Sequence, residues 1–599
     1  MRFQTLSALA FLGLAAAKTR NYDFSIDKMT VAPDGYERSN SIGVNGVWPP
    51  PPIIVDKGDQ IVINMTNNLG DENTSLHFHG MFQNGTNGMD GPNYVTQCPI
   101  PPNSTVVYNF TANQSGSYWY HSHTSLQYPA GLRAPLIIND PEDPYLDMYD
   151  EDLYLTVSDW YHDDMQVLKA SFLNLANPTG AEPIPDHNLL NDTVGLKWAV
   201  EAGKTYRVRI INIGAFVSQY IWFEGHTMTI IEVDGVNVEP AETDMIYITA
   251  AQRYSVLITA KNDTSANYPF VASFDTDMLD TMPDTLNINA TAWVSYNSSA
   301  DYPDAEILDE FDPYDDFYLV PYEKEAVLDP DYTITVDVVM DNLRDGVNYA
   351  FFNNITYVAP KVPTLYSVLG SGDYANDTTI YGEYTHPFVL DHGDVIEIVI
   401  NNQDTGKHPF HLHGHTFQVV ERSNASDSDT DFITYDASNP GIEQEYPMRR
   451  DVAFVRGNGY MVLRFVADNP GVWFFHCHID WHLAQGLALT LIEAPKQLQE
   501  QVIPDDFINA CKAGGFSYEG NAAGTTDWLD LTSQNKAPGT IAAGFTARGI
   551  VALVFSCVSA FVGMGFIAWY GSTELKATEA EVAEYLHEPL EPDTIHEQN

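Results

Sequence analysis

Residues 393–418 read GDVIEIVINNQDTGKHPFHLHGHTFQ: a turn, an alternating apolar and polar strand, an Asn-containing exit and a histidine-rich strand. The same order recurs at GDQIVINMTNNLG (58–70) with HFHGMFQ (77–83), and at GKTYRVRIINIG (203–214) with WFEGHTMT (222–229). Such strands alternate with turn residues along the body, and sustained helical periodicity is almost absent. This pattern indicates β-sandwiches or barrels. We therefore predict an all-β protein with three homologous domains.

The repeat sets the expected domain boundaries at 18–142, 143–300 and 301–500. A chain of 599 residues is long enough for several separate cores. The middle copy keeps the strand but lacks the histidine pair, so we expect metal chemistry in the first and third domains only. Residues 501–548 are rich in Gly, Ala and Thr, which predicts a stalk.

The two ends of the chain carry targeting signals. Residues 1–17 combine Arg2, an apolar run and small residues at a cleavable position, which predicts a signal peptide. Residues 549–570 hold no charge and end on Trp569 and Tyr570, which predicts a membrane-spanning helix. The topology is then type I, with residues 571–599 in the cytosol and Asn-X-Ser/Thr acceptors on the outer body. The plasma membrane is expected, with the vacuolar membrane as the alternative.

The net charge of −53 repels nucleic acid and attracts cations, so nucleic acid is not an expected partner. Four cysteines stand in different contexts. Cys477 lies between two histidines and Cys557 lies in the apolar span. We predict that the remaining two, Cys98 and Cys511, form a disulfide in an oxidising compartment, with free thiols as the alternative.

The strongest chemical signal is a set of His-X-His pairs. On a strand, residues i and i+2 share a face, so each pair presents two imidazoles side by side. Eighteen scattered histidines would not form four such pairs. The pairs are His77/His79, His121/His123, His411/His413 and His476/His478.

HPFHLHGH and HCHIDWHLAQGL add His408, Cys477 and His482. Two imidazoles and one thiolate are the ligands of a blue-copper centre, whereas a structural zinc site, the rival interpretation, needs only four ligands. Leu487 stands ten residues after Cys477, where a ligating Met would be expected, so we predict a non-ligating axial position. Because Cys477 is bonded to His476 and His478, electrons taken up at one centre can pass to another. This arrangement suits one-electron oxidation of a substrate coupled to four-electron reduction of O2.

Two acids are expected to lie near these histidines, one because it is close in sequence and one because of its place in the predicted fold. Asp404 precedes His408 by four residues, and Glu182 in GAEPIP could reach the same rim. Carboxylates favour Fe3+ over Fe2+, which makes the iron electron easier to remove. They can also hydrogen-bond to a copper-ligating histidine. The alternative interpretation of each acid is an ordinary surface carboxylate.

Over residues 20–500 these motifs resemble the multicopper oxidases (laccases, ascorbate oxidases and ferroxidases). The resemblance implies three cupredoxin-like Greek-key β-sandwich domains and four copper ions. It makes His408, Cys477 and His482 the ligands of one type 1 copper, and His77 and His411 those of one type 2 copper. Two type 3 coppers then fall to His79, His121, His123, His413, His476 and His478. The resemblance also implies that Asp90 and Asp480 supply protons to reduced oxygen.

Within this family, EPIP (182–185), FVSQYIWFE (216–224), VDVVMDNLRDGVNYAFFNNITY (336–357), KVPTL (361–365) and the anchor are similar to the fungal iron-transport multicopper ferroxidases. The similarity implies oxidation of Fe2+ by O2 and transfer of Fe3+ to an iron permease in the same membrane. Iron would be bound and oxidised at Glu182, Asp280, Asp404 and Tyr349. Three alternatives stay open: a tethered phenol-oxidising laccase, a cuprous oxidase, and a copper-free cell-surface scaffold.

Overall fold

The computed structural model describes residues 17–424, 431–442, 444–541, 544, 546–573 and 579–587. Residues 1–16 of the expected signal peptide (1–17) and most of the expected cytosolic tail lie outside these residues. The chain divides into two compact units, the first ending at Gly539 and the second beginning at Thr540.

The first domain consists of two four-stranded sheets with the orders β2-β1-β4-β6 and β3-β8-β7-β5. Along β4, Ile61, Ile63 and Met65 are buried while alternate residues are not, as expected for a sheet with one face in the core. The strands are β1 (Thr19–Val31), β2 (Arg38–Val44), β3 (Ile53–Asp56), β4 (Gln60–Asn67), β5 (His77–His79), β6 (Thr105–Thr111), β7 (Gly116–His121) and β8 (Arg133–Asn139).

The middle domain consists of a six-stranded sheet, β10-β9-β12-β17-β14-β15, and a five-stranded sheet, β11-β19-β18-β13-β16. Helix α1 (Met165–Phe172) lies between its first two strands. The strands are β9 (Glu151–Trp160), β10 (His187–Leu190), β11 (Lys197–Ala199), β12 (Thr205–Asn212), β13 (Gln219–Phe223), β14 (Met228–Val233), β15 (Val236–Thr243), β16 (Met245–Ile248), β17 (Arg253–Thr259), β18 (Tyr268–Phe274) and β19 (Asn289–Ser295).

The third domain repeats this plan, with the orders β21-β20-β23-β28-β25-β26 and β22-β30-β29-β24-β27. Its strands are β20 (Tyr332–Asn342), β21 (Asn348–Phe352), β22 (Pro387–Leu390), β23 (Val395–Asn402), β24 (His408–Leu412), β25 (Phe417–Arg422), β26 (Arg449–Arg450), β27 (Val452–Val455), β28 (Tyr460–Val466), β29 (Gly471–Cys477) and β30 (Ala488–Glu493). Its helices are α2 (Thr364–Gly370), α3 (Asp480–Ala484) and α4 (Pro495–Leu498).

The sequence repeat has a structural counterpart. Its three strands, β4, β12 and β23, each pair in parallel with the first strand of their domain, which is β1, β9 or β20. Each also pairs antiparallel with a later strand of the same sheet, which is β6, β17 or β28. The prediction of an all-β fold of β-sandwich domains is therefore confirmed.

The prediction of a stalk from residue 501 is wrong for most of its length, because residues up to Gly539 belong to the first compact unit. Helix α5 (Asp505–Gly514) buries Phe507, Ala510 and Cys511. The Phe507 ring packs edge-on against Tyr108 of β6 at 5.4 Å. The composition hid this helix, whose buried residues follow the i, i+3, i+4 spacing of an amphipathic helix.

Cys98 and Cys511 form a disulfide, as the sequence predicts. The bond ties the first domain to α5 across 413 residues of chain. Replacing both cysteines by serine is expected to lower the free energy of unfolding by about 2–5 kcal/mol, because the unfolded chain gains freedom. Calorimetry of the oxidised protein and the double variant measures this change. An unchanged melting temperature would contradict the expectation.

The second unit contains α6 (Ala547–Ser572) and α7 (Glu579–His587). At 1.5 Å rise per residue, the 26 residues of α6 extend about 39 Å, more than the roughly 30 Å hydrocarbon core of a bilayer. Within the described part of the chain, α6 is the one helix long and apolar enough to cross a membrane. It contains the predicted span 549–570 and extends two residues beyond it at each end.

Candidate metal centres

The four His-X-His pairs lie on paired strands or directly after them. In the first domain, β5 runs antiparallel to β7, which places His77 opposite His121. In the third domain, β24 runs antiparallel to β29, which places His411 opposite His476. The two domains therefore present similar pairs of imidazoles.

These imidazoles meet between the first and third domains. The ring centres of His77 and His413 are 4.2 Å apart, and those of His79 and His411 are 3.8 Å apart. His123 adds a further contact to the third domain, with its ring 5.2 Å from that of His476. The structure thus brings together all eight predicted type 2 and type 3 ligands, four from each domain.

Hydrogen bonds fix the orientation of most of these rings. Three Nδ1 atoms donate to backbone carbonyls: His77 to Asp90, His121 to Ser122, and His476 to Cys477, at 2.7–2.9 Å. His411 Nδ1 donates to the carbonyl of Asp451 at 2.9 Å. Each such bond leaves the other ring nitrogen as a free acceptor, which is the form that binds a metal.

The ring nitrogens that make no hydrogen bond lie close enough together to bind metal ions. Buried ring nitrogens without a hydrogen-bond partner include His77 Nε2, His79 Nδ1, His121 Nε2, His411 Nε2 and His478 Nε2. The Nε2 atoms of His413 and His476 face each other at 3.2 Å. Burial, with neighbouring imidazoles, lowers the pKa of seven of these histidines and keeps the rings neutral. They are His79, His121, His123, His411, His413, His476 and His478. This donor set fits the copper ions that the sequence predicts.

The second centre lies at the end of β29. Cys477 Sγ is 3.8 Å from His408 Nδ1 and 3.4 Å from His482 Nδ1, and the two Nδ1 atoms are 3.1 Å apart. All three side chains are buried. Burial alone would raise the pKa of the Cys477 thiol. The neighbouring His482 and His408 more than offset this effect, so the net pKa is lowered to about 7. Leu487 is fully buried in the same core, and its carbonyl accepts the Cys477 N–H. This geometry fits a trigonal centre with a thiolate ligand.

The Nε2 atoms of His408 and His482 donate hydrogen bonds to the two acids that the sequence analysis proposed, Asp404 and Glu182. His408 Nε2 donates to Asp404 Oδ2 at 3.0 Å, and His482 Nε2 donates to Glu182 Oε1 at 2.6 Å. Burial raises the pKa of Asp404, but the bond from His408 more than offsets this, so the net pKa lies well below its usual range. Asp404 is therefore ionised at neutral pH.

Glu182, Asp404 and His482 line a cavity of about 680 Å³. Asp280 lines the same cavity, and its pKa is raised by burial and by the charges of Glu182 and Asp404. With Asp277, four carboxylates line this cavity, and together they raise the local concentration of cations. Lys407 also lines the cavity, but its ammonium forms an ion pair with Asp275 at 2.6 Å.

Tyr349 is not among the residues that line this cavity. Its hydroxyl donates to Asp345 Oδ2 at 2.9 Å, and its side chain is partly exposed. Its neighbour Asn348 on β21 lines the cavity instead, because successive residues of a strand point to opposite faces. The structure therefore does not bring Tyr349 together with the three acids.

The two acids expected to supply protons adjoin the histidine cluster. His413 Nδ1 donates to Asp90 Oδ2 at 2.9 Å. Asp480 lines a cavity of about 150 Å³ together with His121, His123 and His478. Burial raises the pKa of Asp480 to about 7, so its carboxyl can both hold and release a proton near neutral pH.

Sequence reasoning missed Asp451, which contacts His79 and His411. The sequence feature that could have indicated Asp451 is the charged triplet Arg449-Arg450-Asp451, which directly precedes the fully buried strand β27. Charged residues beside a buried strand need partners, because an unpaired buried charge is costly.

The β-sandwich domains and the buried histidine and cysteine centres together define a copper-binding oxidase. Family models described as Multicopper oxidase match residues 25–143, 151–299 and 357–497, which together make up more than half of the chain. The chain therefore belongs to the multicopper oxidase family, and its domains are cupredoxin-like.

Named relatives cover almost the whole chain. Iron transport multicopper oxidase fetC of Epichloe festucae is 55% identical over 586 residues, covering 97% of this chain and 93% of the relative. Iron transport multicopper oxidase FET3 of Saccharomyces cerevisiae is 49% identical over 595 residues, covering 98% and 93%.

Two solved structures are also similar. The crystal structure of Fet3p, described as a multicopper oxidase that functions in iron import, has a TM-score of 0.85 and 50% identity, covering 88% of this chain and 100% of that chain. The laccase from Botrytis aclada has a TM-score of 0.73 and 30% identity, covering 83% and 92%.

Proposed function

We propose that this protein is a membrane-anchored ferroxidase that oxidises Fe2+ to Fe3+ with O2 as the acceptor. In the balanced reaction, four Fe2+, one O2 and four protons give four Fe3+ and two waters. The observation that carries the proposal is the pair of hydrogen bonds from His482 to Glu182 and from His408 to Asp404. Each acid lines the cavity and touches a predicted type 1 ligand.

These contacts suit iron as the substrate. Hard carboxylate oxygens favour Fe3+ over Fe2+, so a cation held by Glu182, Asp280 and Asp404 gives up an electron more readily. The hydrogen bonds that His482 and His408 donate to Glu182 and Asp404 provide a short route for that electron to the type 1 centre. The three acids also draw cations into the cavity.

The proposed copper set has four ions: one type 1 at His408, Cys477 and His482, one type 2, and a type 3 pair at the remaining histidines. When bound, these ions would supply the one-electron chemistry that couples oxidation of the substrate to four-electron reduction of O2. The chain itself orients these imidazoles and keeps seven of them neutral through burial, and Asp90 and Asp480 hold the protons that water formation consumes. Leu487, buried beside Cys477, would offer the type 1 copper no thioether ligand.

We place the protein in the plasma membrane, anchored by α6 with its catalytic body outside. The names of its relatives, iron transport multicopper oxidases, support a role in high-affinity iron uptake. Fe3+ hydrolyses readily in water, so direct transfer from the ferroxidase to an iron permease in the same membrane would keep the product soluble.

Cu+ is the second candidate substrate, because Met278 and Met340 are among the residues that line the same cavity. Thioethers are soft ligands that prefer Cu+ to Fe2+. A single site could therefore accept both ions, with the carboxylates serving iron and the sulfur atoms serving copper.

Oxygen uptake by the copper-loaded protein, measured with Fe2+, Cu+ and a phenol at matched concentrations, tests the proposal. We expect the highest kcat/KM with Fe2+, because the carboxylates favour the Fe3+ product. A higher kcat/KM for the phenol than for Fe2+ would refute the ferroxidase assignment and favour a laccase.

A further inference from the structure

The middle domain supplies none of the eleven predicted copper ligands, yet one of its side chains reaches their surroundings. Arg253, at the start of β17, is fully buried. Its Nη1 donates to Asp451 Oδ1 and its Nη2 to Asp451 Oδ2, both at 2.6 Å. Its Nε donates to the carbonyl of Ser117 on β7 at 2.9 Å. One guanidinium therefore joins the middle domain to both of the others.

Asp451 in turn contacts one histidine from each of the two copper-binding domains. Its Oδ1 accepts from His79 Nε2 at 3.3 Å, and its backbone carbonyl accepts from His411 Nδ1 at 2.9 Å. These bonds leave His79 Nδ1 and His411 Nε2 without partners, with the two rings stacked at 3.8 Å. The position of Asp451 therefore decides which nitrogen of each ring is free.

Asp90 forms the matching arrangement on the other side of the cluster. Its backbone carbonyl accepts from His77 Nδ1, and its Oδ2 accepts from His413 Nδ1. The two acids differ in their remaining partners. Asp90 Oδ1 has no hydrogen-bond partner, whereas both oxygens of Asp451 accept from Arg253. Asp451 is thus an orienting group rather than a metal ligand.

The Arg253 guanidinium belongs to a buried cluster of paired charges. Asp234 Oδ1 accepts the backbone N–H of Arg253 at 2.7 Å, and Asp234 Oδ2 accepts from Arg450 Nε at 2.7 Å. Arg450 directly precedes Asp451 in the chain. These two arginines and two aspartates are all at most 1% exposed, and Arg450 also pairs with Asp316. Such buried pairs contribute little net stability but fix geometry tightly, because a broken pair leaves an unpaired buried charge.

We propose that Arg253 is a positioning residue for the oxygen-reducing copper cluster. It fixes Asp451, and Asp451 orients His79 and His411, one at the predicted type 3 pair and one at the predicted type 2 copper. The middle domain thus contributes to oxygen reduction without binding copper. The inference rests on the proposed copper assignment and is independent of the iron substrate.

Arg253→Lys in the copper-loaded full chain tests this role, because lysine keeps the charge but cannot bind both carboxylate oxygens in parallel. We expect the type 2 electron paramagnetic resonance signal and the bound copper to fall, with O2 uptake lowered about 10- to 100-fold. The blue absorption of the type 1 centre is expected to remain. Asp451→Asn should give the same selective loss.

Arg207→Lys is the matched control. Arg207 is a middle-domain arginine, 2% exposed and paired with Asp143 and Glu232, and its hydrogen bonds and ion pairs involve no histidine. It should keep both copper signals. Wild-type type 2 signal and O2 uptake in Arg253→Lys would overturn the inference. Parallel loss of the blue absorption, or an equal effect of Arg207→Lys, would also overturn it by revealing a general loss of fold. A wild-type protein without a type 2 signal would instead refute the copper assignment.

Discussion

Replacing Glu182 and Asp404 together by alanine is expected to lower kcat/KM for Fe2+ at least about 100-fold, while oxidation of a phenolic dye changes only a few-fold. Both acids line the 680 Å³ cavity and accept hydrogen bonds from the type 1 histidines. The double change therefore removes two hard ligands for iron and both bonded routes from iron to the centre. A phenol needs neither, because its ring can contact the histidine edge directly.

Steady-state oxygen uptake with each substrate measures the two rates, and the blue absorption reports whether the type 1 centre stays intact. The matched control is Glu242→Ala with Asp263→Ala, which removes the same charge from two exposed sites in the middle domain. It should leave both rates near those of the wild type. If Fe2+ turnover survives the change at Glu182 and Asp404, the iron assignment fails.

Cys477→Ser is expected to abolish the blue absorption and to lower the oxidation of Fe2+, Cu+ and phenols alike, by at least about 100-fold. The thiolate is the shared entry point, because Cys477 lies within 3.8 Å of both type 1 histidines and is bonded to His476 and His478. A serine hydroxyl is a poor ligand for copper, so electrons from every substrate would lose their route.

The oxygen-reducing cluster should persist in this variant, since Cys477 is not one of its eight histidines. Electron paramagnetic resonance should therefore retain the type 2 signal after copper loading. Cys557→Ser, which changes a cysteine outside the copper centres, is the control and should keep the blue colour. Substantial substrate oxidation by Cys477→Ser would show that electrons enter elsewhere.

These two variants separate the substrate site from the electron path. Loss of the acids should select between substrates, whereas loss of the thiolate should affect every substrate equally. The hydrogen bond between Glu182 and His482 lies where the two functions meet, since both residues line the cavity and His482 is also a predicted type 1 ligand.

Much of the chemistry was readable from the sequence because strands place residues i and i+2 on one face. The pairs His77/His79 and His411/His413 could be recognised from that rule alone. The repeated turn and strand predicted the sandwich domains for the same local reason. Cys98 and Cys511 followed from the different contexts of the other two cysteines. These features depend on local periodicity or on residue type, which sequence displays directly.

Other features depend on contacts between residues far apart in sequence. Helix α5 looked like part of a stalk because its composition is polar and small, and only its docking on β6 shows that it belongs to the body. Tyr349 sits beside a cavity-lining residue in sequence but faces the opposite side of its strand. A one-residue step along a strand reverses the direction of the side chain, and sequence similarity does not reveal which face meets the cavity.

Local periodicity and residue type were enough to predict the all-β fold class, the histidine and cysteine set and the candidate acids Glu182 and Asp404. The contact of Glu182 with His482, and the pairing of Arg253 with Asp451 beside His79 and His411, became visible only in the folded chain. Glu182 and His482 are 300 residues apart along the chain, and Arg253 and Asp451 are 198 apart. No local pattern encodes such pairs, which form only when the packed domains bring complementary charges together.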